Sequence, residues 1–133
     1  MRLFADTSFY VAIVSPRDHL HETAKRLIKE FNGRVITTEY VMVELTNWLA
    51  SVNDREVFVR LNRQLRSDPK TMIVPAQPAL YDAGVRLYTA RPDKEWSMTD
   101  CISFTIMRQF GITQALTADH HFIQAGYNAL LKS

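Results

Sequence analysis

The sequence has a single cysteine, Cys101, in 133 residues. No disulfide can form within the chain, so the stapled folds of small secreted proteins are excluded and a reducing compartment is expected. No apolar run approaches the ~20 residues of a membrane-spanning helix. The first residues, Met1 to Asp6, reach an acid too early for a secretory signal peptide, and the cytoplasm is therefore the expected location. Charge of one sign is not in excess: 16 basic against 14 acidic side chains leave a formal net charge of +2, which by itself points to no partner. Repeats, linkers and low-complexity stretches are missing. With 23% charged and 47% hydrophobic residues, the chain has the composition of an ordered globular protein. That length suits one compact domain spanning residues 1–133 and is too short for two ordinary ones.

Short apolar runs alternate with longer stretches of helical period. Arg2 to Ala5 reads as a first strand ending at Asp6, and Ser8 to Ser15 as a short helix closed by Pro16. Leu20, Ala24, Leu27, Ile28 and Phe31 recur at helical spacing, with Gly33 as the expected stop. Arg34 to Thr37 reads as a second strand, after which Thr38 can cap a helix reaching about Ala50. A helix over Asp54–Arg66, a strand over Thr71–Val74 and a helix from Pro78 to about Tyr88 follow. Thr99–Phe110 is a helix ended by Gly111, Gln114–Thr117 a fourth strand, and Asn128–Leu131 a last short one. Alternation of this kind specifies an α/β fold: a central, mainly parallel sheet of four to five short strands flanked by helices.

In such sheets, ligands bind beyond the carboxyl ends of the strands. Asp6 ends the first strand, Asp119 lies just past the fourth, and Asp100 falls in the first turn of a helix. Glu44 sits on the border of an apolar helix face, beside Val41 and Trp48. No Lys or Arg lies within one turn of it to neutralise it. Two carboxylates 4 Å apart repel by about 4 kcal/mol at an intermediate effective dielectric. A convergent set of them therefore calls for a cation or for raised pKa values. Hard oxygen ligands select magnesium or manganese, ions that can activate a water and clamp the oxygens of a phosphodiester. If the four acids converge, ten acids remain elsewhere against sixteen basic groups, and the rest of the surface attracts a polyanion. Taken singly, each acid also has a purely structural role, because helix N-termini favour acids. Spacing alone leaves several classes of metal enzyme open.

The ordered set of motifs narrows this. Asp6-Thr7-Ser8 follows the first strand, and Glu44 lies on the helix after the second. Then come Ser97-Met98-Thr99-Asp100-Cys101 and Leu116-Thr117-Ala118-Asp119-His120-His121-Phe122. Together they closely resemble the PIN domain and, more narrowly, the VapC toxins of prokaryotic toxin–antitoxin pairs. The likeness runs through nearly the whole chain and matches all four family acids. Asn53 to Glu95 carries no matching motif. The resemblance implies a metal-dependent endoribonuclease acting on structured RNA, with Asp6, Asp100 and Asp119 holding magnesium (or manganese in its place). Glu44 would complete the catalytic pocket directly or through water, and Thr7, Ser8 and Thr117 would orient carboxylates or waters. It also implies a homodimer and a small antitoxin protein whose tail enters the acidic site. Phe9, Tyr10, Phe31 and Tyr40 are candidates for such surfaces or for the core. An RNA-processing nuclease without an antitoxin and a non-catalytic RNA-binding module are the alternatives. An aspartyl-phosphate phosphatase is disfavoured, because it needs a second acid where Ser8 stands.

Other residues attract blander readings. Cys101 has no identifiable base and is expected as a buried small hydrophobe. His19 with His21, and His120 with His121, lack a usual zinc spacing, although His120 is placed to touch a phosphate. Arg60, Arg63 and Arg66 are expected on a solvated helix face, and Trp96 in packing rather than base stacking.

Overall fold

Leu3, Phe4 and Ala5 are consecutive, so their side chains point alternately to the two faces of a strand. All three are buried in the computed structural model, which describes residues 1–132. Both faces of that strand are therefore covered, as in a parallel sheet wrapped by helices. The elements in chain order are β1 (Arg2–Ala5), α1 (Thr7–Val14), α2 (His21–Glu30), β2 (Arg34–Thr38), α3 (Glu39–Trp48) and α4 (Arg55–Ser67). They continue with β3 (Thr71–Val74), α5 (Pro78–Ala90), α6 (Met98–Phe110), β4 (Gln114–Leu116), α7 (His120–Gln124) and β5 (Asn128–Ala129).

The five strands form one sheet in the order β3-β2-β1-β4-β5, and every pairing is parallel. Phe4 aligns with Ile36 on one side and Ala115 on the other. The chain lays β2 and β3 on one side of β1 and then crosses to lay β4 and β5 on the other. The order thus reverses between β1 and β4, and a crevice opens at their carboxyl ends. Buried polar groups in the middle of the sheet are satisfied locally. The Thr37 hydroxyl donates to the Ala5 carbonyl (2.8 Å), and Thr38 caps α3 by accepting from the Val41 N–H (3.1 Å).

Two glycines shape the helical layer. Gly111 ends α6 at φ 67°, the left-handed conformation that a helix stop requires. Gly84 in α5 faces α6, where an added Cβ would stand 2.5 Å from Ile102 Cγ1, so the two helices approach closely only because this position has no side chain.

Some expectations need correction. α2 ends with Phe31 in an extended conformation, two residues before Gly33, which does not serve as a left-handed cap. Phe9 and Tyr10 are core residues, while Phe31 and Tyr40 pack half-buried against that core. Helix α7 was not anticipated, because five residues are too few to show a helical period. β5 shrinks to two residues at the sheet edge. Arg60, Arg63 and Arg66 are all exposed as expected, with Arg66 paired to Glu39 at 3.0 Å. Among the described residues, no helix is long and apolar enough to cross a membrane.

Candidate active site

Asp6 occupies the position just before α1, yet its side chain does not cap that helix. It turns instead across the crevice toward β4, where its Oδ2 accepts from the Thr117 hydroxyl (2.9 Å) and the Ser8 hydroxyl (3.2 Å). Asp6 is only 4% exposed. Burial is the main cause that pushes its carboxyl up to about 7. The Thr117 hydroxyl and the Thr7 N–H oppose the rise, and the nearby charges of Asp100 and Glu44 add to it.

The other three acids arrive from different elements. Asp100 closes a capping box at the start of α6: its Oδ2 accepts from the Ser97 N–H (3.1 Å) while its own N–H donates to Ser97 Oγ (3.0 Å). Its carboxyl is also raised, first by burial, with the charge of Asp119 adding to the rise. Asp119 caps α7 through Oδ1, which accepts from the His121 N–H at 2.9 Å. Glu44 projects from α3, and its Oε1 accepts from the Thr7 hydroxyl at 2.6 Å. The capping roles of Asp100 and Asp119 are thus real, but they use one oxygen of each carboxylate. The second oxygens of Glu44, Asp100 and Asp119 have no hydrogen-bond partner among the described residues.

All four acids line one cleft of about 300 Å³, together with Asp18, His19 and Trp48. Among the described residues lining it there is no Lys or Arg. Five carboxylates around so small a space, held by hydroxyls and backbone N–H groups rather than by cations, form a donor set that suits a hard divalent ion. Thr7, Ser8 and Thr117 sit where orienting hydroxyls are needed; Thr117 Oγ1 also accepts from the Asp119 N–H (3.0 Å), linking two of the acids.

Sequence reasoning missed three contributors. His121 Nδ1 lies 3.0 Å from Asp100 Oδ2 and 3.5 Å from Asp119 Oδ1, so it ties α7 to α6 behind the cleft. The neighbouring His120 is exposed and lies 3.6 Å from Asp119. Asp119, His120 and His121 each offer a ligand atom within 4.8 Å of the others, with no cysteine in the group. Asp18 comes from the α1–α2 turn, where its carboxylate accepts from the Leu20 N–H. Trp48 follows Glu44 by one helical turn and is 66% exposed at the lip of the cleft. That spacing was the only sequence signal for any of the three. Cys101 is fully buried, with its thiol pushed up to about 11, and Trp96 is buried with its Nε1 donating to Gln124.

Comparison with known proteins agrees with this architecture. The PIN domain family model matches residues 3–127. The 23S rRNA-specific endonuclease VapC20 of Mycobacterium tuberculosis is 31% identical over 132 residues, spanning 94% of this chain and 95% of the relative. The crystal structure of that VapC20, described as a sarcin-ricin loop cleaving toxin, superposes with a TM-score of 0.86 at 28% identity, over 94% of this chain and 95% of that one. FitAcB from Neisseria gonorrhoeae shares the fold at a TM-score of 0.66 and 20% identity, over 97% and 95% of the two chains. The chain belongs to the PIN domain family and is VapC-like.

Proposed function

We propose that this protein is a metal-dependent endoribonuclease and the toxin of a type II toxin–antitoxin pair, acting in the cytoplasm. The observation that carries the reading is the convergence of Asp6, Glu44, Asp100 and Asp119 on one cleft with no Lys or Arg among the described residues that line it. Asp6, Asp100 and Asp119 are the residues to hold magnesium, with manganese as a substitute, and Glu44 completes the pocket directly or through water. The bound ion would supply an activated water and stabilise negative charge on the phosphodiester. The chain's own part is positioning. Thr117 and Ser8 fix the rotamer of Asp6, Thr7 fixes Glu44, and His121 holds Asp100 beside Asp119. Since these residues run from position 6 to position 121, the site needs nearly the whole chain.

The relation to VapC20 makes ribosomal RNA the first substrate to try. Purified protein should cut structured RNA in magnesium or manganese and stop in EDTA, with the cut sites read by end-mapping. Cleavage undiminished in EDTA would overturn the mechanism.

A homodimer and an antitoxin partner belong to the same reading. Tyr81, Val85 and Tyr88 recur at helical spacing on α5 and are exposed, an apolar stripe that supports self-association. Light scattering at micromolar concentration should give twice the mass of one chain; a monomer throughout that range would remove the dimer from the reading.

A further inference from the structure

A second concavity, larger than the acidic cleft, opens between α5, α6 and α7 at about 620 Å³. Its rim carries three guanidinium groups, Arg86, Arg91 and Arg108, and there is no acidic side chain among the described residues that line it. Arg91 is already engaged: it pairs with Asp93 through two 3.0 Å hydrogen bonds and lies over the Trp96 ring at 5.1 Å. Arg86 and Arg108 are exposed and form no ion pair with another described residue. The floor is apolar and built in place. Phe104 packs edge-on against Trp96 at 5.0 Å and against Phe122 at 4.9 Å, and Trp96 is pinned by its hydrogen bond to Gln124. The rim also offers the side-chain amides of Gln109 and Gln124, both exposed.

We propose that this groove is a second RNA-binding site, in which Arg86 and Arg108 hold backbone phosphates of the substrate away from the point of cleavage. The proposal rests on the nuclease reading for the identity of the polyanion. Two unneutralised cations over an apolar floor match a strand that presents phosphates outward and sugars inward. The placement matches as well. Helix α6 carries Asp100 in its first turn and Arg108 in its last, about 12 Å further along the axis at 1.5 Å per residue. Helix α7 likewise runs from the Asp119 cap to Gln124. Two of the elements that present acids to the cleft, α6 and α7, thus run on to the groove, and a bound strand passes from one site to the other. A symmetric contact between two copies centred here would bring the unpaired arginines of both chains together, which disfavours a second copy as the occupant.

The test is RNA binding in EDTA, read by fluorescence anisotropy with a labelled RNA stem-loop, for the full chain and for the double variant Arg86→Gln/Arg108→Gln. Each lost phosphate contact should flatten the plot of log affinity against log salt by about 0.7–0.9. Between 50 and 200 mM salt the wild type should then lose roughly tenfold more affinity than the variant. Arg86→Lys/Arg108→Lys should keep the wild-type slope, since a phosphate accepts either cation, whereas a packing role would not be rescued. In magnesium, the Gln variant should show a raised KM on the stem-loop with kcat unchanged, and unchanged kinetics on a dinucleotide too short to reach the groove. Equal affinity and slope in wild type and Gln variant would overturn the proposal. So would loss of polyglutamate binding with RNA binding intact, which would assign the groove to an acidic protein segment. If wild type binds RNA through the two arginines yet cleaves nothing in magnesium, the groove stands and the nuclease reading falls.

Discussion

Asp6→Asn should abolish RNA cleavage while making the metal-free protein more stable. The Asp6 carboxylate is almost wholly buried, and its pKa stands near 7 instead of 3.8. At pH 8 the metal-free fold therefore carries a charge it resists, at a cost of up to about 4 kcal/mol. Asn removes the charge and keeps an oxygen to accept from Thr117 and Ser8, whose hydroxyls bond to Oδ2. The Asp6 side chain makes no cap bond to α1, so the helix loses little by the change. Activity should fall by more than the ~10–100-fold that loss of a merely supporting partner costs, because a neutral amide is a poor ligand for a hard cation. Magnesium should stabilise the wild type by mass action and the variant far less. Asp100→Asn should follow the same direction with a smaller gain, since its carboxylate is partly satisfied by the Ser97 N–H. Urea unfolding at pH 8, with EDTA and with magnesium, beside an RNA cleavage assay, reads all of this. An Asp6→Asn protein that is less stable in EDTA, equally responsive to magnesium and still active would remove the site.

The metal-free wild type should lose stability as the pH rises from about 4 to 7.5. Below pH 4 the Asp6 carboxyl is protonated in both the folded and the unfolded chain. Between the unfolded value of 3.8 and the folded value of about 7, only the folded state holds that proton. The folded state binds more protons there, so each step up in pH removes stability until the folded group also ionises. The raised Asp100 carboxyl acts in the same direction. Asp68 and Asp93 have lowered values, so their contribution is lost only as pH falls into the acid range, below this window. The clean quantity is therefore the difference between wild type and Asp6→Asn, which should widen by up to about 4 kcal/mol from pH 4 to 8. Magnesium should reverse the trend, because the ion needs the ionised carboxylate and competes with its proton. The stabilisation it confers should grow with pH across the same interval. A difference curve that stays flat from pH 4 to 8, or a magnesium effect independent of pH, would show that Asp6 does not titrate as the fold requires.

Most elements were legible in the sequence because they are long enough to show a period. The buried run Leu3-Phe4-Ala5, the helical spacing of Leu20 to Phe31, the Thr38 cap and the Gly111 stop are local features, and local chemistry decided them. The four acids were legible by residue type and by their places at element ends. What the sequence could not decide was which oxygens meet. Asp6 and Thr117 are 111 positions apart, and only the reversal of strand order between β1 and β4 brings them within 2.9 Å. The linear chain equally allowed Asp6 to cap α1; burial in the crevice decided otherwise. His121 and Asp18 join the site through a five-residue helix and a turn, elements too short to leave a pattern. The arginine groove depends on Gly84 letting α5 approach α6 and on the Trp96–Gln124 bond across 28 positions. Residue type and short-range periodicity are encoded along the chain, so the sequence alone determined the α/β class and the candidate acids. Proximity between distant side chains is created by sheet topology and packing, so the tertiary structure alone decided the cleft and the groove.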